Sequence, residues 1–136
     1  MTADDWATPF LTVQLVPSVP ENTRALFDVA RSAILYGSLF YPLFALGLEG
    51  VYRAADAATV EACTLRKLTP ASDRFVDRLK ALKASGALSA ADHDRWTALR
   101  KLRNEASHPE KPTILAPGHA LGLLRQIADD IKALFP

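Results

Sequence analysis

Apolar residues recur every three or four positions through most of this chain, and most of its prolines and glycines lie between the periodic segments. Such spacing places the apolar side chains on one face of an α-helix, and that face must pack against other helices. The pattern is clearest near the C-terminus, where it runs from Leu121 to Phe135. The sequence therefore predicts an all-α protein.

Breaks in this pattern divide the chain into about five helices with short connections. Proline is tolerated best in the first turn of a helix and glycine often follows the last turn, so these residues indicate where helices begin and end. The third helix is expected to begin at the capping pair Thr69-Pro70, and the fourth at Ser89, three residues before Asp92 in a capping-box pattern. Short connections favour an antiparallel helical bundle. The expected helices cover residues 21–36, 41–62, 69–86, 89–109 and 121–135.

The N-terminal residues 1–20 differ from the rest of the chain. Apolar and polar residues alternate loosely between Pro9 and Pro17, which is typical of an extended segment. A single strand cannot form a sheet, so we expect an extended N-terminal arm that lies across the bundle or pairs with a second subunit. Residues 21–136 then form a single helical domain, since the whole chain of 136 residues has the length of one ordinary domain.

The composition excludes several kinds of site. Cys63 is the only cysteine, so neither an internal disulfide nor a cysteine-based zinc site can form, and the three histidines lack metal-binding spacing. We therefore expect no metal and no cofactor. The uncharged residues 32–48 include Gly37 and Pro42 and are fewer than the ~20 that span a bilayer, so no membrane association is expected. The N-terminus does not have a secretory-signal pattern, which favours a cytoplasmic protein.

Charge is unevenly distributed along a chain whose net charge is only +1. Residues 66–103 carry ten basic and four acidic side chains, whereas residues 1–65 carry three basic and seven acidic ones. A basic stretch of this kind can bind RNA, although the same charges can equally form the solvated faces of two amphipathic helices.

One short stretch combines residues that can carry out chemistry, Arg103-Asn104-Glu105-Ala106-Ser107-His108, near the end of the fourth expected helix. At 100° per residue, Arg103 lies about 40° from Leu99 on the helical wheel, so it flanks the apolar face. Trp96, Arg100 and Ser107 belong to the same stripe along the helix. A permanently charged guanidinium at this position needs an anionic partner or water.

The histidine of this stretch lies next to a proline. Pro109 disfavours regular helical geometry at His108, so an unwound last turn can bring the imidazole back towards Arg103. Asn104 and His108 are four residues apart and can contact each other. The spacing alone is also typical of an arginine that pairs with a carboxylate and of a histidine that caps the last turn of a helix.

A second group of charged residues lies on the second expected helix, where Glu49 and Arg53 are four residues apart and Asp56 follows three residues later. An ion pair within the helix explains this spacing. Alternatively, Glu49 holds Arg103 or His108 in place from the facing helix.

The pattern Arg-Asn-x-x-x-His near the end of a late helix resembles the RxxxxH motif of the HEPN superfamily, in which a polar residue such as Asn often follows the Arg. The order of the expected helices is similar to that of HEPN domains from prokaryotic defence and toxin systems, over residues 24–135. This resemblance implies a metal-independent endoribonuclease that acts as a homodimer, with the motif helices of both subunits facing each other. It implies RNA as the substrate and an antitoxin or another protein as a partner.

Carried over to this sequence, the resemblance implies Arg103, Asn104 and His108 as the catalytic residues. Cleaving RNA without a metal requires a group with a pKa near neutrality to move protons, and His108 suits that role. The fork of Arg103 suits phosphate oxygens, and Asn104 would orient His108 or donate to the phosphate. The alternative is a non-catalytic HEPN-like module that binds a partner protein or a nucleotide, with Arg103 and His108 as structural or ligand-holding residues.

Overall fold

The computed structural model describes residues 3–37, 40–106 and 117–136, and these residues form helices joined by turns and loops, with no strand among them. The expectation of an all-α fold is therefore confirmed. Within the described part of the chain there are six helices rather than about five, because the N-terminal segment is also helical. They are α1 (Ala3–Leu11), α2 (Glu21–Tyr36), α3 (Tyr41–Leu65), α4 (Phe75–Ala84), α5 (Ala90–Ala106) and α6 (Pro117–Leu134).

The expectation of an extended N-terminal arm was wrong for the first half of that segment, which forms α1. Phe10 is 1% exposed and packs into the core, and α1 contacts α2. Arg31 of α2 donates a 2.8 Å hydrogen bond to the Val13 carbonyl just beyond α1. The free energy gained by burying Phe10 therefore exceeds the weak local preference for extended structure that the alternation of residue types indicates, since tertiary packing overrides weak local preferences. Residues 12–20 form neither helix nor strand.

Helices α2 and α3 form a closely packed hairpin. Helix α2 has the expected bounds and ends at Gly37, and α3 carries Pro42 in its first turn. Two glycines of α3 face α2: a Cβ atom on Gly47 would lie 2.6 Å from Ile34 Cγ1, and one on Gly50 would lie 2.9 Å from Ala30 Cβ. These glycines therefore serve to bring the two helices together.

Helix α3 is central to the bundle and contacts α2, α4, α5 and α6. Its inner face is lined with buried alanines, which allow neighbouring helices to approach closely. The opposing face of α6 supplies larger side chains that are at most 2% exposed, namely Leu124, Ile127, Ile131 and Leu134. None of the described helices is both long enough and apolar enough to cross a membrane.

The beginnings of α4 and α5 show how local hydrogen bonds set helix ends. Helix α4 begins at Phe75 and not at the expected Thr69-Pro70 pair, because the Ser72 hydroxyl turns the chain: it accepts from the Arg74 N–H at 3.1 Å and donates to the Asp77 carboxylate. The capping box before α5 is confirmed. Ser89 Oγ accepts from the Asp92 N–H at 3.1 Å, and the Asp92 carboxylate accepts from the Ser89 N–H at 3.4 Å.

Candidate functional site

A pocket of about 70 Å³ lies where α5 packs against α3 and the start of α4. Arg100, Arg103 and Asn104 of α5 line it together with Tyr52 and Asp56 of α3. A volume of this size holds a few water molecules or a phosphate group, and it is too small for a whole nucleotide. Its lining residues are Tyr52, Ala55, Asp56, Phe75, Leu99, Arg100, Arg103 and Asn104.

The first two residues of the Arg-Asn-x-x-x-His pattern both line this pocket. Arg103 and Arg100 are half-buried, and Asn104 is exposed. Leu99 lines the pocket as well, so Arg103 lies beside the apolar seam as the helical wheel predicts. Ser107 and His108 lie outside the described residues, so their predicted roles stay predictions.

The orientation of α5 is set by Trp96, which is 1% exposed. Its ring lies 6.1 Å from the Phe75 ring, centroid to centroid, in a tilted arrangement with an angle of 48° between the planes. Such edge-tilted contacts are favourable for aromatic pairs. Trp96 is therefore a core residue that anchors α5 to α4, and it holds the next turn of α5, with Arg100 and Arg103, at the edge of the pocket.

The carboxylate in the pocket is held by an arginine behind it. Asp56 accepts a hydrogen bond from Nη2 of Arg78, which is 7% exposed, while the Asp56 side chain is 42% exposed. Arg78 Nε also donates to Thr59 Oγ1 at 2.9 Å, and its Cζ atom lies 5.9 Å from the centroid of the Phe75 ring. Asp56 thus has a fixed position in the pocket wall, where a buried cation already balances its charge.

Tyr52 contributes the phenol of the pocket and is 6% exposed. Burial raises the pKa of Tyr52, and the nearby Glu49 carboxylate raises it further. The phenol therefore stays protonated over the whole physiological range. Nothing in the sequence distinguishes Tyr52 from an ordinary core residue of an apolar helix. The sequence likewise indicates no role for Arg78 in the pocket, beyond its position in the basic stretch of residues 66–103.

Glu49 and Arg53 line a different part of the surface, a groove of about 500 Å³ between α2 and α3. Glu49 and Asp56 lie on nearly the same side of α3, about 20° apart at 100° per residue, but about 10 Å separates them along the helix axis. The structure thus brings Arg100, Arg103 and Asn104 together and leaves Glu49 and Arg53 apart from them. The α3 carboxylate that shares the pocket with Arg103 is that of Asp56.

Several basic side chains of residues 66–103 bond to other groups of the same chain. Arg66 donates to the Leu134 carbonyl at 2.7 Å, and Arg95 bonds to Asp130 at 3.0 Å as well as to Asp92. Together with Arg78, at least three of the ten basic side chains therefore make contacts within the chain. The exposed members of the stretch include Lys67, Lys80, Lys83 and Lys101.

The described residues contain no group of three or more His, Cys, Asp or Glu side chains that could hold a metal ion. No protein-family model matches this chain, and no curated protein or solved structure is significantly similar to it. Two guanidiniums and an amide beside a small cavity form an arrangement suited to an anion with several oxygens, such as a phosphate.

Proposed function

We propose that this protein is a metal-independent endoribonuclease of HEPN type, with Arg103, Asn104 and His108 as its catalytic residues. One observation carries the proposal: Arg103 and Asn104 line a single small pocket, and a second guanidinium, that of Arg100, lines it with them. A phosphate-sized cavity with two cations is the environment that cleavage of a phosphodiester requires.

In the proposed reaction, the 2′-hydroxyl oxygen of RNA attacks the adjacent phosphorus, and the bond from phosphorus to the 5′-oxygen breaks. The products are a 2′,3′-cyclic phosphate and a free 5′-hydroxyl. His108 moves the proton that leaves the 2′-hydroxyl or the one that reaches the 5′-oxygen, since an imidazole titrates near neutrality. Arg103 binds the phosphate oxygens, where negative charge accumulates in the transition state. Asn104 orients His108 or donates to the phosphate.

Two residues of the pocket support this role. Arg100 lies one helical turn before Arg103 and supplies a second cation for the phosphate or for its neighbour along the strand. Asp56 gives the pocket a wall of fixed position, because its carboxylate accepts a hydrogen bond from the buried Arg78. Exposed lysines of residues 66–103 provide attraction for the rest of the RNA backbone.

The biological setting follows from the same resemblance. The protein acts as a homodimer and as a toxin or defence effector in the cytoplasm, and an antitoxin or another protein partner keeps it in check. A non-catalytic module that binds a nucleotide through its phosphate is the second candidate, because Arg100 and Arg103 line the same pocket.

The test is cleavage of structured and single-stranded RNA in excess chelator. We expect cleavage by the wild type, a cyclic phosphate on the product, and loss of activity in His108→Ala and Arg103→Ala. His119→Ala is a matched control, because His119 is an exposed histidine on α6 that does not line the pocket. Equal activity in the wild type and in His108→Ala would exclude the proposed reaction. Binding of nucleotide without any cleavage would favour the non-catalytic module.

A further inference from the structure

The pocket in which the proposed function places a phosphate is also lined by a carboxylate, that of Asp56. Arg100 and Arg103 suit an anion, but the oxygens of a carboxylate and of a phosphate are both acceptors. Two such groups cannot bond to each other, and at short range they repel. A phosphate therefore fits beside Asp56 only when a group that donates a hydrogen bond lies between them.

The position of the Asp56 carboxylate is fixed by Arg78. The guanidinium of Arg78 donates to Asp56 Oδ1, and it also donates to the Thr59 hydroxyl. A carboxylate accepts at about four lone pairs, and the Asp56 side chain is 42% exposed, so it can accept a further hydrogen bond from a ligand. Turning it away would remove the partner of a guanidinium that is only 7% exposed, so Asp56 stays in the pocket wall.

The small size of the pocket brings this carboxylate close to any phosphate bound there. A sphere of 70 Å³ is about 5 Å across, which is comparable with one phosphate group. In RNA the 2′-hydroxyl lies next to the phosphate, and its oxygen comes within about 3–3.5 Å of the phosphorus before it attacks. DNA has only hydrogen on carbon at this position. The 2′-hydroxyl is therefore the donor that fits between the phosphate and the carboxylate.

The other polar groups of α3 and α5 in the pocket do not impose this requirement. Burial raises the pKa of Tyr52, so its phenol stays protonated and can donate to a phosphate oxygen. Asn104 has both a donor and an acceptor on its amide and can turn either one towards a ligand. Among the described residues that line the pocket, Asp56 is thus the one side chain that can only accept.

We infer that Asp56 makes the pocket specific for RNA: its carboxylate accepts a hydrogen bond from the 2′-hydroxyl beside the phosphate that Arg100 and Arg103 bind. The inference rests on the proposed function, since it takes the bound phosphate to be that of RNA, and it adds the group that recognises ribose. With DNA the carboxylate and the phosphate have no donor between them, so the same residue disfavours the wrong substrate. The contact forms before any proton moves, so it affects binding as well as rate.

Binding of oligonucleotides to His108→Ala tests the inference without depending on cleavage. Fluorescence anisotropy compares a short single-stranded RNA with the DNA of the same sequence and with 2′-fluoro RNA, which keeps a ribose-like sugar conformation but has no 2′-hydroxyl. We expect RNA to bind about tenfold or more tightly than the other two, the usual effect of a hydrogen bond to a charged group. Equal binding of RNA and 2′-fluoro RNA would overturn the inference, and so would no binding of RNA. This comparison requires no change at Asp56.

A substitution at Asp56 tests which residue is responsible. Asp56→Asn, added to His108→Ala, keeps a carbonyl oxygen for Arg78 and removes the charge, and circular dichroism checks the fold. It should bind the three oligonucleotides within about twofold of one another, with DNA bound more tightly than before, because the repulsion is gone. Asp94→Asn is the matched control: it removes the same charge at an exposed position of α5 outside the pocket, and the preference for RNA should remain.

The outcomes separate this inference from the proposed function. A preference for RNA that persists in Asp56→Asn would overturn the inference. Cleavage of RNA by the wild type, with no preference for RNA in binding, would overturn the inference alone. A preference for RNA that depends on Asp56, in a protein that cleaves no RNA, would support the inference and exclude the proposed reaction.

Discussion

The buried guanidinium of Arg78 in α4 donates a hydrogen bond to the carboxylate of Asp56 in α3, and Asp56 lines the same pocket as Arg103. Through this pair the packing of α4 on α3 fixes one wall of the candidate site. Arg78 also contacts Thr59, so its charge and its hydrogen-bonding groups have partners within the bundle.

Removing the partner of this buried cation should destabilise the protein strongly. Asp56→Ala leaves the guanidinium of Arg78 buried without its carboxylate, which costs about 2 kcal/mol in the free energy of unfolding, less than for a fully buried pair because the Asp56 side chain is 42% exposed. The double variant Asp56→Ala, Arg78→Met should lose less than the sum of the two single changes, since no unpaired charge remains. Urea denaturation of the four proteins measures this coupling, and strictly additive effects would contradict the pairing.

Gly→Ala substitutions should have opposite effects at Gly47 and Gly122, because Gly47 lies in the close contact between α2 and α3 and Gly122 does not. Gly47→Ala places a methyl group 2.6 Å from Ile34 Cγ1 and 2.7 Å from the Ile34 backbone nitrogen, so the helices must move apart. We expect a loss of about 2 kcal/mol in stability, the usual size of overpacking effects.

Gly122→Ala is the matched control for that substitution. Gly122 lies within α6, and nothing lies within 4 Å of a Cβ atom built on it. Alanine there should stabilise the protein by about 0.7 kcal/mol, because it restricts the unfolded chain and favours the helix. Thermal unfolding monitored by circular dichroism compares the two variants. Equal destabilisation at both positions would contradict the close packing of α3 on α2.

The capping box before α5 predicts a contribution to stability that depends on pH. Hydrogen bonding to Ser89 holds the pKa of the Asp92 carboxyl below its usual range, and Arg95 lowers it further. A carboxyl whose pKa is lower in the folded state stabilises the fold above its unfolded pKa and loses that contribution as the pH falls through the folded one. Ser89→Ala should therefore cost about 1 kcal/mol at neutral pH and less below about pH 4. An effect of Ser89→Ala that does not change with pH would contradict the reciprocal box.

The two arginines of the pocket should affect catalysis differently if the proposed function is correct. Arg103→Ala should lower kcat/KM by about 10²- to 10³-fold, as expected when a group that stabilises transition-state charge is lost. Arg103→Lys should recover little of that activity, because a point charge does not replace the planar fork. Arg100→Ala should mainly raise KM, since its cation contributes to binding the RNA backbone. Initial rates on a defined RNA separate these effects, and identical losses in kcat for both arginines would contradict the assigned roles.

The sequence predicted much of the local structure, because short-range patterns carry that information. Residues at most a few positions apart determine the bounds of α2, the capping box at Ser89 and the position of Arg103 beside Leu99. The sequence placed Trp96 only on the stripe with Arg100 and Ser107, and its burial against Phe75 shows that it is a core residue.

The tertiary structure alone decided the contacts between residues that are far apart in the chain. Asp56 and Arg78 are separated by 22 positions, and no periodicity links them. The helical state of α1 depends on the burial of Phe10, which a local alternation of residue types cannot show. The sequence by itself determined that the segments beyond residue 20 form helices and where the Arg-Asn-x-x-x-His pattern lies. Only packing decided that Asp56, and not Glu49, shares a pocket with Arg103: the two carboxylates lie on nearly the same side of α3, about 20° apart, and the choice depends on which turn of α3 lies against α5.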